Sequence, residues 1–274
     1  ALKKKLIEHK QDAFLARDLA RLKTDAELDL NLRELRVTEP DTDFLRALYK
    51  ELDFNRFLAD LEPEKAISYD DYHLVDTEIS LLDVVEEFKK IKRLSVDLET
   101  TSTNAMRAEI VGLALAAEPH RAFYIPIAHQ APGAAQLPLE TVFKALGPTL
   151  ESPKVLKVGQ NIKYDYIILR RHGIELGPIS DDSMIASYLL DPSERHHNLD
   201  RISQTYLNHN PISYKEAVGD KKSGFETVTP EAARDYACED ADLALILCDI
   251  LRPKLSENDL LNLYEEVELP LIEV

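Results

Sequence analysis

No stretch of this 274-residue chain approaches the ~20 consecutive apolar residues that a membrane-spanning helix needs, and no basic-then-apolar leader opens it. A soluble, cytoplasmic protein with no membrane partner is the expectation. Cysteine is scarce. Cys238 and Cys248 lie ten positions apart on what reads as one helix, about 15 Å along its axis and far beyond disulfide reach, so both are expected to be structural thiols. Neither has the paired spacing of a zinc site, and the eight histidines form no ligand motif. Positive charge is also short: 33 Lys and Arg stand against 50 Asp and Glu, a net charge of −17. A chain that wraps duplex nucleic acid needs the opposite balance. Many of the acids fall in EEVELP, DDSM and the charged ends, where solvated helix faces and caps account for them.

What is present is a set of acids on apolar surfaces. In KRLSVDLETT, Leu94, Val96 and Leu98 alternate with Ser95, Asp97 and Glu99, which predicts a strand with one packed face and both acids on the other. TPEAARDYACEDADLALILC opens with Thr229 as an N-cap and Pro230 at the first helical position, then runs without a breaker to Pro253. At 100° per residue one stripe of that helix carries Ala232, Ala233, Tyr236, Asp240, Leu243, Ala244 and Leu247. Between these segments, KVLKVGQNIKYDYIILRRHG reads as a short strand, a turn at Gly159 and a helix with Asn161, Tyr164, Asp165, Ile168 and Leu169 on one side. No segment offers an adjacent Lys or Arg on the acid face. An ionised carboxylate taken out of water must protonate, pair with a cation or bind metal. A single helical Asp is more often a surface residue or a cap, but an ordered set of this kind points to metal.

VDLETT, VGQNIKYD and YACEDAD resemble the three exonuclease motifs of the bacterial DNA polymerase I family, DEDD-type nucleases of the tyrosine subclass. AFYIPIAH, DSMIASYLLDP and HNLDRIS resemble that family too, in the expected order. The resemblance implies an RNase H-like α/β fold, a mixed sheet with flanking helices, plus a helical N-terminal extension. Periodicity alone gives only α/β, with a meander of strands near 93–99, 109–117 and 121–128, a helix over 138–150 and a strand over 154–158. The resemblance also implies a proofreading 3′-5′ exonuclease that removes terminal nucleotides from single-stranded or frayed DNA with two divalent ions, Mg²⁺ or Mn²⁺. Asp97 would bridge the ions, Glu99 and Asp240 would complete the site, and Asp165 would hold the second ion. Tyr236 would orient the nucleophile, since a phenol with a reference pKa near 10 is a poor general base.

Substrate contacts are expected from Thr100, Thr103, Gln160, Asn161, Tyr164, His196 and Tyr214, with core packing as the alternative for each aromatic. Thr103 departs from the family pattern, which often has a wedging leucine there. His197 reads as a structural histidine. Residues 1–60 resemble the tail of a 5′ nuclease region or a linker, 61–255 the exonuclease domain after an acidic connector at Leu61 to Tyr69, and 256–274 the start of a helix leading to a polymerase domain of the same parent chain. Motifs of the polymerase and a carboxylate cluster of the 5′ nuclease are missing, so the chain reads as an excised piece. Two rival readings are an inactive spacer domain of the polymerase and an RNase D-like RNA 3′ exonuclease. The full set of acids argues against the first and the polymerase-type flanks against the second.

Overall fold

The computed structural model describes residues 5, 7, 9–23, 40–52, 54, 57, 58, 61, 67–219 and 224–274. Much of the expected tail, notably 24–39, and of the connector, 62–66, lies outside the described residues. The chain divides into two units, Ala1–Asp53 and Phe54–Val274. In the first, the described elements are helices α1 (Lys10–Leu19) and α2 (Thr42–Glu51), α1 having no buried residue.

The second unit begins with strand β1 (Tyr72–Leu74) and helix α3 (Glu78–Glu87), whose start is fixed by a reciprocal cap between Thr77 and Ser80. Strands β2 (Arg93–Thr100), β3 (Ile110–Glu118) and β4 (Arg121–Pro126) form the expected meander. Helix α4 (Leu139–Leu150), strand β5 (Leu156–Gly159), helix α5 (Ile162–Arg171), strand β6 (Ile179–Asp182) and helices α6 (Ser183–Leu190), α7 (Leu199–Leu207) and α8 (Tyr214–Val218) follow. Helix α9 (Pro230–Glu257) closes the core, capped by the Thr229 hydroxyl as expected. The sheet order is β1-β4-β3-β2-β5-β6, antiparallel for β2–β3 and β3–β4 and parallel at the other three pairings, so the sheet is mixed.

Helix α9, about 42 Å long at 1.5 Å per residue, touches all six strands. Its close approach follows from the sheet's small residues. Opposite Ser95, Asp97 and Glu99 of β2 stand Ala116, Ala114 and Gly112 of β3, and the helix brings Ala233, Ala237, Ala241 and Ala244. Three expectations need correction. Strand β2 is buried on both faces, because α9 roofs the acid face. The apolar surface of α9 is not one stripe: Ala237–Glu239 and Ala241–Leu245 are buried without a break while Ala232 is exposed, because α6, α7 and α8 pack on its outer side. The helix also passes through Pro253, since buried Leu251 and Leu255 hold both flanks to the core. Cys238 and Cys248 are both free and buried. No helix among the described residues is long and apolar enough to cross a membrane.

Gly112 is dictated by close approach. A Cβ there would stand 2.1 Å from the hydroxyl oxygen of Tyr124, whose ring lies across it. That hydroxyl donates to His129 Nε2 at 2.6 Å, while His129 Nδ1–H donates to the Val228 carbonyl at 2.6 Å, just before the α9 cap. Burial lowers the His129 pKa and keeps the ring neutral for this relay. Gly112→Ala should therefore destabilise the protein by about 1–3 kcal/mol through overpacking, read by denaturant unfolding. The loss should shrink in a Tyr124→Ala background; additive losses would locate the strain elsewhere.

Candidate active site

Three elements supply the acids. Asp97 and Glu99 project from β2 toward α9, Asp240 returns from α9, and Asp165 comes from the first turns of α5. Asp97, Glu99 and Asp240 each offer a carboxylate oxygen within 4.8 Å of the other two. Asp165, 3% exposed, accepts from the Leu98 backbone N–H at 3.1 Å, which ties α5 to the strand between the two acids. All four line one cleft of about 330 Å³, together with Gln160, Asn161, Tyr164 and Tyr236.

The electrostatics of this cluster are unfavourable as it stands. Burial pushes the Asp97 carboxyl up to about 7. Glu99 is held well above the usual range by burial and then by the charges of Asp97, Asp240 and Asp165; Asp165 and Asp240 are raised by burial first and Asp97 second. Among the described residues no hydrogen-bond donor or cation acts on Asp97 or Glu99. Other buried acids of the domain are satisfied: Asp242 by the Tyr72 hydroxyl at 2.7 Å and the His120 N–H at 2.8 Å, Asp182 by the N–H groups of Ile162 and Ile185 at 2.8 and 3.0 Å. An all-oxygen donor set whose charge lacks any protein counterpart fits a hard divalent cation. The Tyr236 phenol is raised far above its ordinary value, by burial and then by Asp240, Glu99 and Asp97, so it stays protonated and can donate.

A second cleft of about 420 Å³ adjoins the first through Leu98, Glu99, Asn161 and Tyr164, and adds Thr100, Thr101, Ser102, Thr103 and Tyr214. Five of the seven residues expected at the substrate thus line it. Asn161 stands before α5 rather than on its buried side. It is exposed with φ 56°, a left-handed conformation that Asn tolerates, and it borders both clefts. Gln160 reaches the acid cleft, but its amide is engaged inside the fold: Nε2–H donates to the His197 carbonyl at 2.8 Å and Oε1 accepts from Ser183. The Tyr164 hydroxyl is shared between Thr100 and the Ser102 carbonyl. His196 is exposed and borders neither cleft. His197 bonds Ser187 Oγ through Nδ1 at 2.9 Å, while its buried Nε2 has no partner. Sequence reasoning missed Met184, Asn198 and Leu199 in the acid cleft. The signal was there in DSMIASYLLDP and HNLDRIS, segments read for their order and not as site walls.

A family model described as 3′-5′ exonuclease matches residues 72–256, which contain every one of these acids. The chain belongs to the 3′-5′ exonuclease family. DNA polymerase I of Pseudomonas aeruginosa is 36% identical over 288 residues, covering 98% of this chain and 32% of that protein. DNA polymerase I of Rhizobium leguminosarum is 40% identical over 201 residues, covering 66% of this chain and 20% of that protein. This exonuclease chain therefore spans about a third or less of these relatives. The crystal structure of Escherichia coli RNase D, described as an exoribonuclease involved in structured RNA processing, shares the fold with a TM-score of 0.56 at 16% identity, over 73% of this chain and 49% of that one.

The raised acids give this exonuclease a defined pH response without metal. A folded-state Asp97 near 7, against 3.8 for the free group, keeps its proton while the unfolded chain has already released it. The contribution of Asp97 to stability therefore falls as pH rises from about 4 to 7, and Glu99, Asp165 and Asp240, also raised, add losses of the same sign. In excess chelator the wild-type melting temperature should drop across this window more steeply than that of Asp97→Asn, which cannot ionise there. Parallel profiles would show that Asp97 is not buried in unpaired form.

Proposed function

We propose that the chain is the proofreading portion of a DNA polymerase I, hydrolysing the last phosphodiester of a single-stranded or frayed 3′ end of DNA. The observation that carries this reading is the trio of carboxylates, two from strand β2 and one from the helix that roofs it, meeting within 4.8 Å inside the matched exonuclease region. Asp97, Glu99 and Asp240 would hold one divalent ion, and Asp97 with Asp165 a second, Mg²⁺ or Mn²⁺. Bound there, two such ions would stabilise the attacking and departing oxygens of an in-line displacement.

The chain's own residues supply orientation. Tyr236 stays protonated beside Asp240, and once that carboxylate is taken up by an ion the one hydroxyl proton of the tyrosine would turn to the attacking water and align it. Thr100, Thr103, Asn161, Tyr164 and Tyr214 border the path of the terminal nucleotides, where hydroxyls and an amide suit sugar and phosphate and the rings suit bases. Gln160 supports this wall from behind. Residues 61–255 make up the exonuclease domain in this reading, 1–60 a 5′ nuclease tail or linker, and 256–274 the lead into a polymerase domain that grips the duplex. An inactive spacer would have no use for buried, mutually repelling acids.

The direct test is digestion of a 3′-labelled single-stranded oligodeoxynucleotide, with an RNA of the same sequence beside it. Cleavage from the 3′ end should require Mg²⁺ or Mn²⁺, stop in chelator, favour DNA, and vanish in the double variant Asp97→Ala with Glu99→Ala while the far-ultraviolet circular dichroism holds. Digestion that survives the double change would put the chemistry elsewhere. Tyr236→Phe should lower kcat by about tenfold, the loss of one positioning hydrogen bond of roughly 1.4 kcal/mol, and leave KM close to wild type. An unchanged kcat would leave Tyr236 as a packing residue.

A further inference from the structure

Glu239 stands next to Asp240 in sequence but points away from the acid cleft and is 0% exposed. Three donors converge on its carboxylate. The Tyr69 hydroxyl donates to Oε1 at 2.7 Å, His209 Nε2–H donates to Oε1 at 2.6 Å, and the Ile212 backbone N–H donates to Oε2 at 2.6 Å. His209 is itself buried, and the residue before it, Asn208, ends α7 in a left-handed turn with φ 54°. From Ile212 the chain passes to Ser213, which with Glu216 forms a reciprocal cap, and Tyr214 is the first residue of α8. The Tyr214 ring is half-exposed in the substrate cleft and meets Phe225 and Tyr236 at centroid distances of 6.4 and 6.5 Å.

We propose that Glu239 is a positioning residue for the substrate cleft. It clamps the 208–213 turn to helix α9 and so sets where Tyr214 presents its ring to the terminal nucleotides. The same helical turn that carries Asp240 to the acids thereby carries the anchor for the cleft wall, which fixes the acids and the ring in one frame. This rests on the reading that Tyr214 contacts the strand end. A carboxylate suits the role because all three partners are donors. A carboxamide in its place has one acceptor oxygen and turns its own N–H groups on donors.

The experiment uses the whole chain with Mg²⁺ and a single-stranded oligodeoxynucleotide, measuring kcat, KM and melting temperature, with the oligonucleotide Kd by fluorescence anisotropy in chelator. Tyr214→Ala should raise KM and Kd about tenfold, the loss of one stacked base, and leave kcat near wild type. His209→Leu, which removes one donor far from the acids, should raise KM and Kd several-fold with kcat held. His209→Gln, which can return an N–H to Glu239, should restore them. The double variant His209→Leu with Tyr214→Ala should match Tyr214→Ala alone, because a clamp has nothing to act on once the ring is gone. Glu239→Gln serves as a second entry to the same cycle, should His209→Leu fail to fold, with the same expected non-additivity.

Additive effects in the double variant, a fall in kcat with KM unchanged, or a His209→Gln no better than His209→Leu would each overturn the clamp. If Tyr214→Ala raises KM and Kd while neither His209→Leu nor Glu239→Gln does, the clamp fails and the Tyr214 contact stands. If Tyr214→Ala changes neither quantity, the contact fails and the clamp with it.

Discussion

Like-charged carboxylates forced together out of water are the constraint around which this domain is arranged. Asp97 and Glu99 sit on a central strand, and helix α9 lies over them with Asp240 facing down. Bringing these groups together costs free energy through burial and mutual repulsion, and no cation among the described residues offsets it for Asp97 and Glu99. The expense is met elsewhere by packing. The small row Gly112, Ala114 and Ala116 and the alanines of α9 let helix and sheet approach closely, while buried leucines continue the contact to Leu255. Packing of this density deforms little, so the acids cannot simply move apart. A divalent ion is then worth more to the fold than it would be to a flexible loop, since binding also releases stored repulsion.

The acids of α9 show how burial alone misleads. Glu239, Asp240 and Asp242 lie within one turn and are each withdrawn from solvent to some degree. Glu239 and Asp242 are fully partnered, by Tyr69, His209 and Ile212 in one case and by Tyr72 and the His120 N–H in the other. Asp240, among the described residues, faces the other acids of the cleft and the Tyr236 hydroxyl. Chemistry and support are thus separated by which side of the helix a residue occupies. The separation rests on contacts from 27 to 170 positions away in the chain.

That distance sets what the sequence could disclose. Local rules were enough for the elements: alternation for β2, Thr229 and Pro230 for the start of α9, and the apolar pattern for α4. They also put Asp97, Glu99, Asp165, Tyr236 and Asp240 on surfaces that could converge, and in the structure they line one cleft. Periodicity cannot report what covers a face, so the roof over β2 and the burial of α9 on several sides went unread. Asn161 was placed on a helix face because helical spacing extends backward from Asp165, whereas the turn at Gly159 needs a left-handed residue before α5 can begin. The engaged amide of Gln160 and the exposed position of His196 depend on the loop between α6 and α7, whose path no periodic pattern encodes. Asn198 enters the cleft from that same loop, and Met184 from the first turn of α6.

The acidic balance of the chain gains a meaning at the site. Among the described residues neither cleft is lined by a Lys, an Arg or a His; the walls are carboxylates, hydroxyls, amides, aromatic rings and apolar side chains. Under the proposed function, a nucleic-acid end entering such walls without cations would bring phosphate charge against carboxylate charge, and stacking alone would have to overcome it. With divalent ions in place the sign of the floor reverses, and the groups that organise the reaction also make room for the phosphate. Affinity and chemistry then draw on the same ions. A site of this design has little hold on DNA that lacks a free, unstacked end, because rings and cations contact only what enters the cleft. In the proofreading reading that weakness would have a use, leaving the duplex to other surfaces and admitting only frayed strands to the acids.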